Sequence, residues 1–312
     1  MKLHFLPVLA ALGLLTIAPV AHAQTTVRFG LRMGGNLATH GGDDPAYALA
    51  NGGISGSGTV TNSSMTNYKR SAIVGWQLGT VLDINFGKVA FQPALLLTQK
   101  GVSQTLDATN TTRYNSGGFG GSFTSTITEK YAITSRPNYL ELPLNVVYTT
   151  GGTQGFQVFA GPYVAYGVGG QAELEREYMS SATGSGQSGS SYSYGRTFIS
   201  FRDTYPGAQL TGNTNGSGGS GSAGNTSPTD YLANSGALVA RRFDAGINAG
   251  IGYRFASWQV QAGYGWGLIN PQPDHAPRQR DDLTPYYNRV GQLTLTYLFA
   301  SKPTPSATTP GM

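Results

Sequence analysis

Two histidines are the residues best suited to acid–base chemistry beyond the first 23 residues. Acidic residues lie near both of them: Asp43 and Asp44 follow His40, Asp274 precedes His275, and Asp281 and Asp282 lie further on. A histidine oriented by an aspartate is the usual general base of a hydrolase. No motif fixes the relative positions of these residues, and polar loops contain both types by composition alone. We therefore expect no catalytic residue and no enzyme, with a loop hydrolase as the least favoured alternative.

The remaining composition excludes several other kinds of site. The chain has 312 residues and no cysteine, which rules out disulfides and Cys-built metal sites. No metal-ligand spacing occurs, and no GxGxxG or P-loop stands between a strand and a helix. We expect no metal and no cofactor. Lys and Arg are scattered, apart from Arg241-Arg242 and the pair Arg278/Arg280, so nucleic acid is not expected as a partner.

Six further charged residues lie in stretches where polar and apolar residues alternate. All six fall on the polar phase, which places them on one face of a sheet. Unpaired charges on an enclosed face are costly, so we expect these side chains to pair into a structural polar network. They are Arg28, Arg32, Asp83, Glu141, Asp244 and Arg254.

Eight stretches alternate in this way, and four of them carry these six charges. Alternation with a period of two predicts β-strands, and each stretch has about a dozen residues, roughly twice the usual strand length. A tilted strand of about 9–11 residues spans the hydrocarbon layer of a membrane. The stretches are 26–36, 74–86, 89–101, 138–148, 155–170, 243–255, 258–269 and 289–299.

The connections between these strands are alternately short and long. The short ones are Gly87-Lys88, a turn around TTGGTQ, and Ala256-Ser257; the long ones are 37–72, 102–130, 171–241 and 270–288. Transmembrane barrels have tight periplasmic turns and long extracellular loops. The sequence therefore predicts an all-β fold, an eight-stranded antiparallel up-and-down transmembrane β-barrel. A soluble secreted β-protein is the structural alternative.

The first residues predict export from the cytoplasm. Lys2, an apolar run and Ala21-His22-Ala23 have the form of a cleaved signal peptide over residues 1–23. We expect a barrel over residues 24–299 in the outer membrane of a Gram-negative cell, followed by a flexible Pro/Thr-rich tail over 300–312. The expected partners are outer-membrane lipid, lipopolysaccharide and, during biogenesis, the barrel-assembly machinery.

Aromatic residues at the strand ends predict two membrane-interface girdles. Those beside the short turns are Phe86, Phe91, Tyr148, Phe156, Phe255, Trp258 and Phe299, and those toward the other rim are Trp76, Tyr166 and Trp266.

An eight-stranded lumen is just wide enough to hold side chains. Glycines at inward positions would leave room for larger polar side chains opposite them; these are Gly246, Gly250, Gly252, Gly263, Gly265 and Gly267. We expect a filled lumen, with a narrow pore for ions or small solutes as the alternative.

Three prolines, Pro93, Pro143 and Pro162, fall inside predicted strands, and we interpret them as bulge positions. The segments around them, FQPALLLTQKG, NYLELPLNVVY and FAGPYVAYGVGG, together with GLRMGGNLA, resemble the PorT-like outer-membrane β-barrel family. The resemblance covers most of the strands and none of the long loops. It implies a small outer-membrane barrel, and one relative in that family is associated with secretion across the outer membrane.

The longest loop suggests a role at the cell surface. Residues 180–229 are rich in Ser and Gly, and this loop as a whole contains Tyr178, Tyr192, Tyr194 and Tyr205. Tyrosines among Ser, Gly and Asn form adaptable contact surfaces, whereas the composition alone predicts a solvated linker. We expect a structural, surface-contact or secretion-accessory role.

Overall fold

The computed structural model of the chain describes residues 25–41, 59–115, 122–183, 188–203, 237–271 and 286–299. The predicted signal peptide and tail lie outside these ranges, as do His275, Asp43, Asp44, Asp274, Asp281, Asp282 and Tyr205. No helix within the described ranges is long and apolar enough to cross a membrane.

The described residues form twelve β-strands. In chain order they are β1 (Thr26–Gly41), β2 (Thr59–Ser71), β3 (Ile73–Asn85), β4 (Val89–Gln99), β5 (Val102–Asn115), β6 (Ser122–Gly151), β7 (Gln154–Thr183), β8 (Ser188–Phe201), β9 (Ala237–Ala240), β10 (Phe243–Phe255), β11 (Trp258–Gly267) and β12 (Tyr287–Leu298).

Eight of these strands pair around a ring. The order is β6, β4, β3, β1, β12, β11, β10 and β7, and β7 pairs again with β6. Every pairing in the ring is antiparallel, including the one between the first and last strands, β1 and β12. These are the eight strands that the alternation predicts, so the all-β barrel fold is confirmed.

The two faces of the ring are opposite in polarity to those of a soluble protein. Inward side chains are buried and most of them are polar: Gln92, Thr296 and Asp83 are fully covered, while apolar side chains such as Leu96 and Leu298 lie among them. Outward side chains are apolar and exposed, with Val74 73% exposed and Leu293 61% exposed. Because exposed apolar surface on this scale is unfavourable in water, the outward face fits a hydrocarbon environment.

The three short connections lie at one end of the ring and have tight-turn geometry. Gly87 has φ +92°, and its N–H donates to Oδ1 of Asn85 at 2.8 Å. Ala256 has φ +53°, an uncommon value for a residue with a side chain. By the topology of transmembrane barrels this end is the periplasmic one.

The bulge interpretation of the prolines is wrong. Around Pro93, Pro143 and Pro162 the partner residues on either side keep the same register. Each proline lacks an N–H and so interrupts the ladder locally without inserting a residue. The register shift between β6 and β7 near the barrel rim lies elsewhere, where Asn138 and Tyr139 face Gly169 and Gly167 and Val168 is the extra residue.

Strands also occupy three of the ranges that the sequence assigned to long connections. Beyond the ring, β6 and β7 continue as a paired ladder out to Thr124 and Thr183. β5 and β2 add to the β6 side, and β8 and β9 add to the β7 side. We call this six-stranded part, with β6 residues 122–137 and β7 residues 170–183, the outer sheet. At about 3.3 Å per residue it rises roughly 45 Å above the ring.

Candidate functional site

The periplasmic half of the lumen contains a charge cluster centred on Asp83. Arg28 and Asp83 face each other on β1 and β3, and Nη2 of Arg28 lies 3.1 Å from Oδ2 of Asp83. Nη2 of Arg254 donates to the same oxygen. Gln92 donates to Oδ1 at 2.7 Å. One fully buried carboxylate therefore binds two guanidinium groups, one from the adjacent strand β1 and one from β10 across the lumen, and the three groups together carry one net positive charge.

Arg32 lies next to this cluster but bonds only neutral oxygens among the described residues. Its Nε donates to Oγ1 of Thr296 at 3.0 Å, and its Nη2 donates to Oε1 of Gln92 at 3.3 Å. Gln92 also exchanges hydrogen bonds with Gln259 at 3.1 Å. The structure does not bring Arg32 and Glu141 together, although both lie near mid-height in the predicted barrel.

The extracellular half contains a second cluster, centred on Lys100. Its Nζ lies 2.8 Å from Oε2 of Glu141 and 3.0 Å from Oδ2 of Asp244. Tyr163 and Asn288 donate to the same Asp244 oxygen at 3.3 Å and 3.0 Å. The ammonium group also sits 4.3 Å from the ring centroid of Tyr163, a cation–π contact.

Sequence reasoning missed Lys100, although a signal for it was present. Even-numbered residues of β4 point inward, as Gln92 and Thr98 do. Continuing that phase past the end of the strand reaches Lys100, which is 2% exposed. A lysine on this polar phase can pair with both Glu141 and Asp244, as Lys100 does.

The end of β8 packs against inward residues at the extracellular end of the barrel. Phe201, the last residue of β8, packs edge-on against Tyr139 with ring centroids 5.3 Å apart. Its ring occupies the space where a Cβ at Gly167 would lie. Arg242 donates to the carbonyl of Phe201 at 3.2 Å. An aromatic side chain therefore lies directly over the Lys100 cluster.

Between the two clusters the lumen is filled by an aromatic ring rather than by polar side chains alone. Phe159 points inward, and a Cβ at Gly250 or Gly263 would lie 2.6 Å or 2.7 Å from its Cζ. A Cβ at Gly246 would likewise meet the ring of Tyr163. The inward glycines do leave room for larger side chains, but two of those side chains are aromatic.

A small cavity remains beside Phe159. Its volume is about 10 Å³, which is the space of one water molecule. Its polar lining comes from Arg32, Asn145, Asn248, Gln261, Gln292 and Thr294. Beside Phe159, in the described part of the barrel, the side chains thus leave a gap no larger than about one water molecule.

Comparison with protein families agrees with this geometry. Residues 22–271 match the family model described as outer membrane protein beta-barrel domain. The chain belongs to this family. Membership places the chain in the outer membrane and makes the exposed apolar face of this outer-membrane β-barrel its lipid-facing surface.

Solved structures similar to this outer-membrane β-barrel share little sequence with it. Ail, the attachment invasion locus protein of Yersinia pestis, is 9% identical, with 87% of this chain and 98% of that one covered and a TM-score of 0.24. The translocator domain of the autotransporter NalP from Neisseria meningitidis is 12% identical, with 90% and 91% covered and a TM-score of 0.22. The search of curated proteins gave no match.

The predicted girdle residues of this outer-membrane β-barrel lie on its outward face. For most of them the exposed fraction of the residue is between 40% and 45%. Phe156 is more exposed, at 69%, and Phe91 is half-buried. Neighbouring rings at the periplasmic rim contact each other, such as Trp258 and Tyr297 at 4.8 Å. At the other rim Tyr166 contacts Phe243 at 5.2 Å. The girdle residues are Trp76, Phe86, Phe91, Tyr148, Phe156, Tyr166, Phe255, Trp258, Trp266 and Phe299.

Of the two candidate histidines, the structure describes only His40. It lies at the outer end of β1, and its ring packs at a tilt of 35° against that of Tyr286, with centroids 4.8 Å apart. Its backbone carbonyl accepts a hydrogen bond from Arg70 at 2.9 Å. These contacts are packing and capping contacts, and no group of His, Asp and Glu able to hold a metal occurs within the described ranges.

Proposed function

We propose that this outer-membrane β-barrel is a non-enzymatic protein with a lumen closed by side chains, and that its outer sheet makes contacts at the cell surface. The observation that carries the proposal is the continuous filling of the lumen. Asp83 with its arginines, Phe159 against the inward glycines, the Lys100 cluster and Phe201 occupy successive levels. Lacking a continuous channel, the barrel acts as an anchor for what it displays.

Planar-bilayer recording tests the closed lumen. The purified protein is expected to give no steady single-channel openings, whereas a general porin in the same bilayer serves as the positive control. Glu141→Gln and Arg32→Gln are the informative variants because each removes one charge from the lumen. Steady openings in the wild-type protein that change in size or selectivity in either variant would show a pore instead.

Exposed aromatic side chains on β8 support the contact role. Tyr192, Tyr194 and Phe198 point to the same face of the outer sheet and are 65%, 49% and 70% exposed. Tyrosine supplies a large contact area at a small cost in side-chain entropy. Residues 188–197 of β8 also leave one strand edge unpaired among the described residues, since β9 pairs only with Phe198–Phe201. The pairing of β8 with β7 has no register shift, whereas the strand at the opposite edge of the sheet, β2, has two shifts against β5.

Cells that display the protein test this role. Tyr192→Ser with Tyr194→Ser is expected to reduce binding of such cells to immobilised extracellular polypeptides. The matched control is Ser191→Ala with Ser193→Ala, which changes the opposite face of the same strand. If both double variants and the wild type bind equally when present in equal amounts at the cell surface, Tyr192 and Tyr194 of β8 are not contact residues.

The PorT-like resemblance supports a secretion-accessory role as a more specific form of the same proposal. The proposal includes the cleaved signal peptide that residues 1–23 predict, and assembly of the barrel by the barrel-assembly machinery. Deletion of the gene is expected to change the amount of secreted protein outside the cell if this form is right. An unchanged amount of secreted protein would contradict the secretion-accessory role, and only the anchor and contact role would remain.

Arginines at the extracellular rim support lipopolysaccharide as the lipid partner. The guanidinium of Arg242 lies 5.7 Å from the ring centroid of Tyr166, and that of Arg289 lies 5.7 Å from the ring of Tyr287. A cation held above an interfacial aromatic is well placed for a lipid phosphate. Native mass spectrometry is expected to show less lipopolysaccharide bound to the double variant Arg242→Gln with Arg289→Gln than to the wild type. The control is Lys88→Gln, which removes a charge at the opposite rim and is expected to bind as the wild type does.

A further inference from the structure

Strand β8 has a free edge over most of its length. On one side it pairs with β7 along the whole strand up to Phe198. On the other side β9 pairs only with Phe198–Phe201, so residues 188–197 have no strand beside them among the described residues. Every residue from Ser188 to Arg196 is exposed. The backbone of this edge can therefore form hydrogen bonds with a further strand.

A hydrogen bond just beyond β8 shows which backbone groups point to the free edge. The N–H of Arg202 donates to the carbonyl of Ala240 in β9 at 2.8 Å. Along a strand, the N–H groups point alternately to its two sides. Because β8 has no register shift against β7, the other even-numbered residues share the direction of Arg202, and the odd-numbered ones point to β7. The N–H groups that point to the free edge are those of Ser190, Tyr192, Tyr194 and Arg196.

The same edge already accepts one strand and has little protection against a second. The parallel pairing of β9 with Phe198–Phe201 shows that a strand can lie beside β8 at regular spacing. Exposed edges in proteins are usually blocked by lysine, proline or bulges. Residues 188–197 contain no lysine and no proline. At the opposite edge of the sheet, by contrast, β2 contains Lys69 and has two register shifts against β5.

We propose that this free edge binds one extended segment of an extracellular polypeptide, which adds to the outer sheet as a further strand. The inference rests on the proposed contact role and specifies how the partner is recognised. Backbone hydrogen bonds provide the affinity, and alternate side chains of the added strand lie beside Tyr192 and Tyr194. Tyrosine pairs well across strands with β-branched and aromatic residues, so a segment that presents these at alternate positions binds best.

Amide hydrogen exchange tests the free edge and its occupation. The probe is a peptide of ten alternating Thr and Val residues with a lysine at each end, added to the full mature protein in detergent micelles. Without peptide, the amides of Tyr192 and Tyr194 are expected to exchange at least about tenfold faster than those of Ser191 and Ser193, which point to β7. With peptide, the exchange of Tyr192 and Tyr194 is expected to slow.

Two results of the exchange measurement would overturn the proposal. If Tyr192 and Tyr194 are protected before peptide is added, the edge is already occupied. Protection that rises with protein concentration would then identify a second copy of the chain as the occupant, and constant protection would identify the chain itself. If the two amides exchange fast and the peptide leaves them unchanged, the edge does not accept an added strand.

A matched pair of variants separates the backbone of Tyr192 from its side chain. Tyr192→Pro and Tyr192→Ser both remove the tyrosine, but only the proline also removes the N–H that points to the free edge. Proline is tolerated at such an edge position because it breaks no bond to the neighbouring strand. Tyr192→Pro is expected to bind the peptide about tenfold more weakly than Tyr192→Ser. Compact gel migration checks that both variants are folded, and the exchange measurement decides if the proline variant is not.

Equal peptide binding by folded Tyr192→Pro and Tyr192→Ser would overturn strand addition. The contact role would then survive through side chains alone if Tyr192→Ser with Tyr194→Ser still reduces the binding of cells to extracellular polypeptides. It would fail as well if that double variant binds as the wild type does.

Discussion

The barrel and the outer sheet are built from the same two long strands but follow different side-chain rules. Within the ring, β6 and β7 alternate between exposed apolar residues such as Val146 and buried polar residues such as Asn145. Above the ring, the same strands present half-buried polar residues on both faces. Thr109 and Thr111 of β5, for example, lie beside Thr128 and Thr126 of β6, with hydroxyl oxygens 3.3 Å and 3.4 Å apart.

The difference shows that the surroundings on each side of the sheet set its pattern, while the backbone ladder stays the same. In the barrel one face meets hydrocarbon and the other is closed off, so charges are buried and shared. In the outer sheet only a few side chains, such as Leu106 and Ala108 of β5, are buried, and the ion pairs are separate and partly exposed. Lys130 and Glu177, 3.2 Å apart, each remain nearly half exposed. Burial of Tyr131, which donates to Glu129 at 2.6 Å, raises the pKa of its hydroxyl.

Removing the central carboxylate of the barrel should give the largest effect. Asp83→Asn leaves Arg28 and Arg254 buried without a counterion, and we expect a loss of about 3–5 kcal/mol in the free energy of unfolding. This loss is measured by urea unfolding in detergent micelles, with gel migration as the readout of the folded fraction. The control is Glu177→Gln in the outer sheet, for which the expected loss is below about 1 kcal/mol. Equal losses in the two variants would contradict the contrast between the two regions.

Placing a charge on the lipid face should have the next largest effect. Leu293 lies halfway along the outward face of β12, so Leu293→Arg is expected to cost about 2–4 kcal/mol of folding free energy in lipid vesicles. Tyr192→Arg, on the same outward side but in the outer sheet, is expected to change stability by less than about 0.5 kcal/mol. If Leu293→Arg were as well tolerated as Tyr192→Arg, the outward face of the ring would not be the lipid face.

Filling an inward glycine should cost less, because the neighbouring ring can move. Gly263→Ala brings a methyl group to 2.7 Å from Phe159, for which we expect a loss of about 1–3 kcal/mol. Gly195→Ala on β8 meets no atom within 4 Å and should be nearly neutral. Phe159→Leu is expected to recover part of the loss in a double variant with Gly263→Ala. The wild type, the two single glycine variants and the double variant are compared by the temperature at which each loses its compact migration on a gel.

The smallest effect should come from the ion pairs of the outer sheet. A double-mutant cycle with Lys130→Ala and Glu177→Ala is expected to give a coupling energy of about 0.2–1 kcal/mol. This coupling should fall in 1 M salt, where the Debye length is about 3 Å. Coupling that is insensitive to salt would indicate that this pair is shielded from solvent, as the lumen pairs are.

The eight barrel strands could be predicted because each has a clear apolar phase. The facing of Arg28 and Asp83 also followed from their distance to the short turns. The outer sheet could not be predicted in the same way, since segments such as β8, SGSSYSYGRTFISF, are polar on both phases. The expectation that inward residues are polar also failed at Phe159. Its inward position depends on Gly250 and Gly263, which lie on strands distant in sequence. The partner of Glu141 was missed although Lys100 lies on the polar phase of the predicted strand 89–101.

The length of the pairing of β6 with β7, which continues on both sides of the register shift at Val168, has a mechanical consequence. Their ladder runs from the turn at Gly151 and Gln154 through the ring to Thr124 and Thr183. A pull applied at the outer tip acts along the strands, so many hydrogen bonds resist it together in shear instead of opening one after another. Tension on the cell surface would thus be transmitted directly into the membrane-embedded wall, and the protein would behave as a stiff post rather than as a flexible tether.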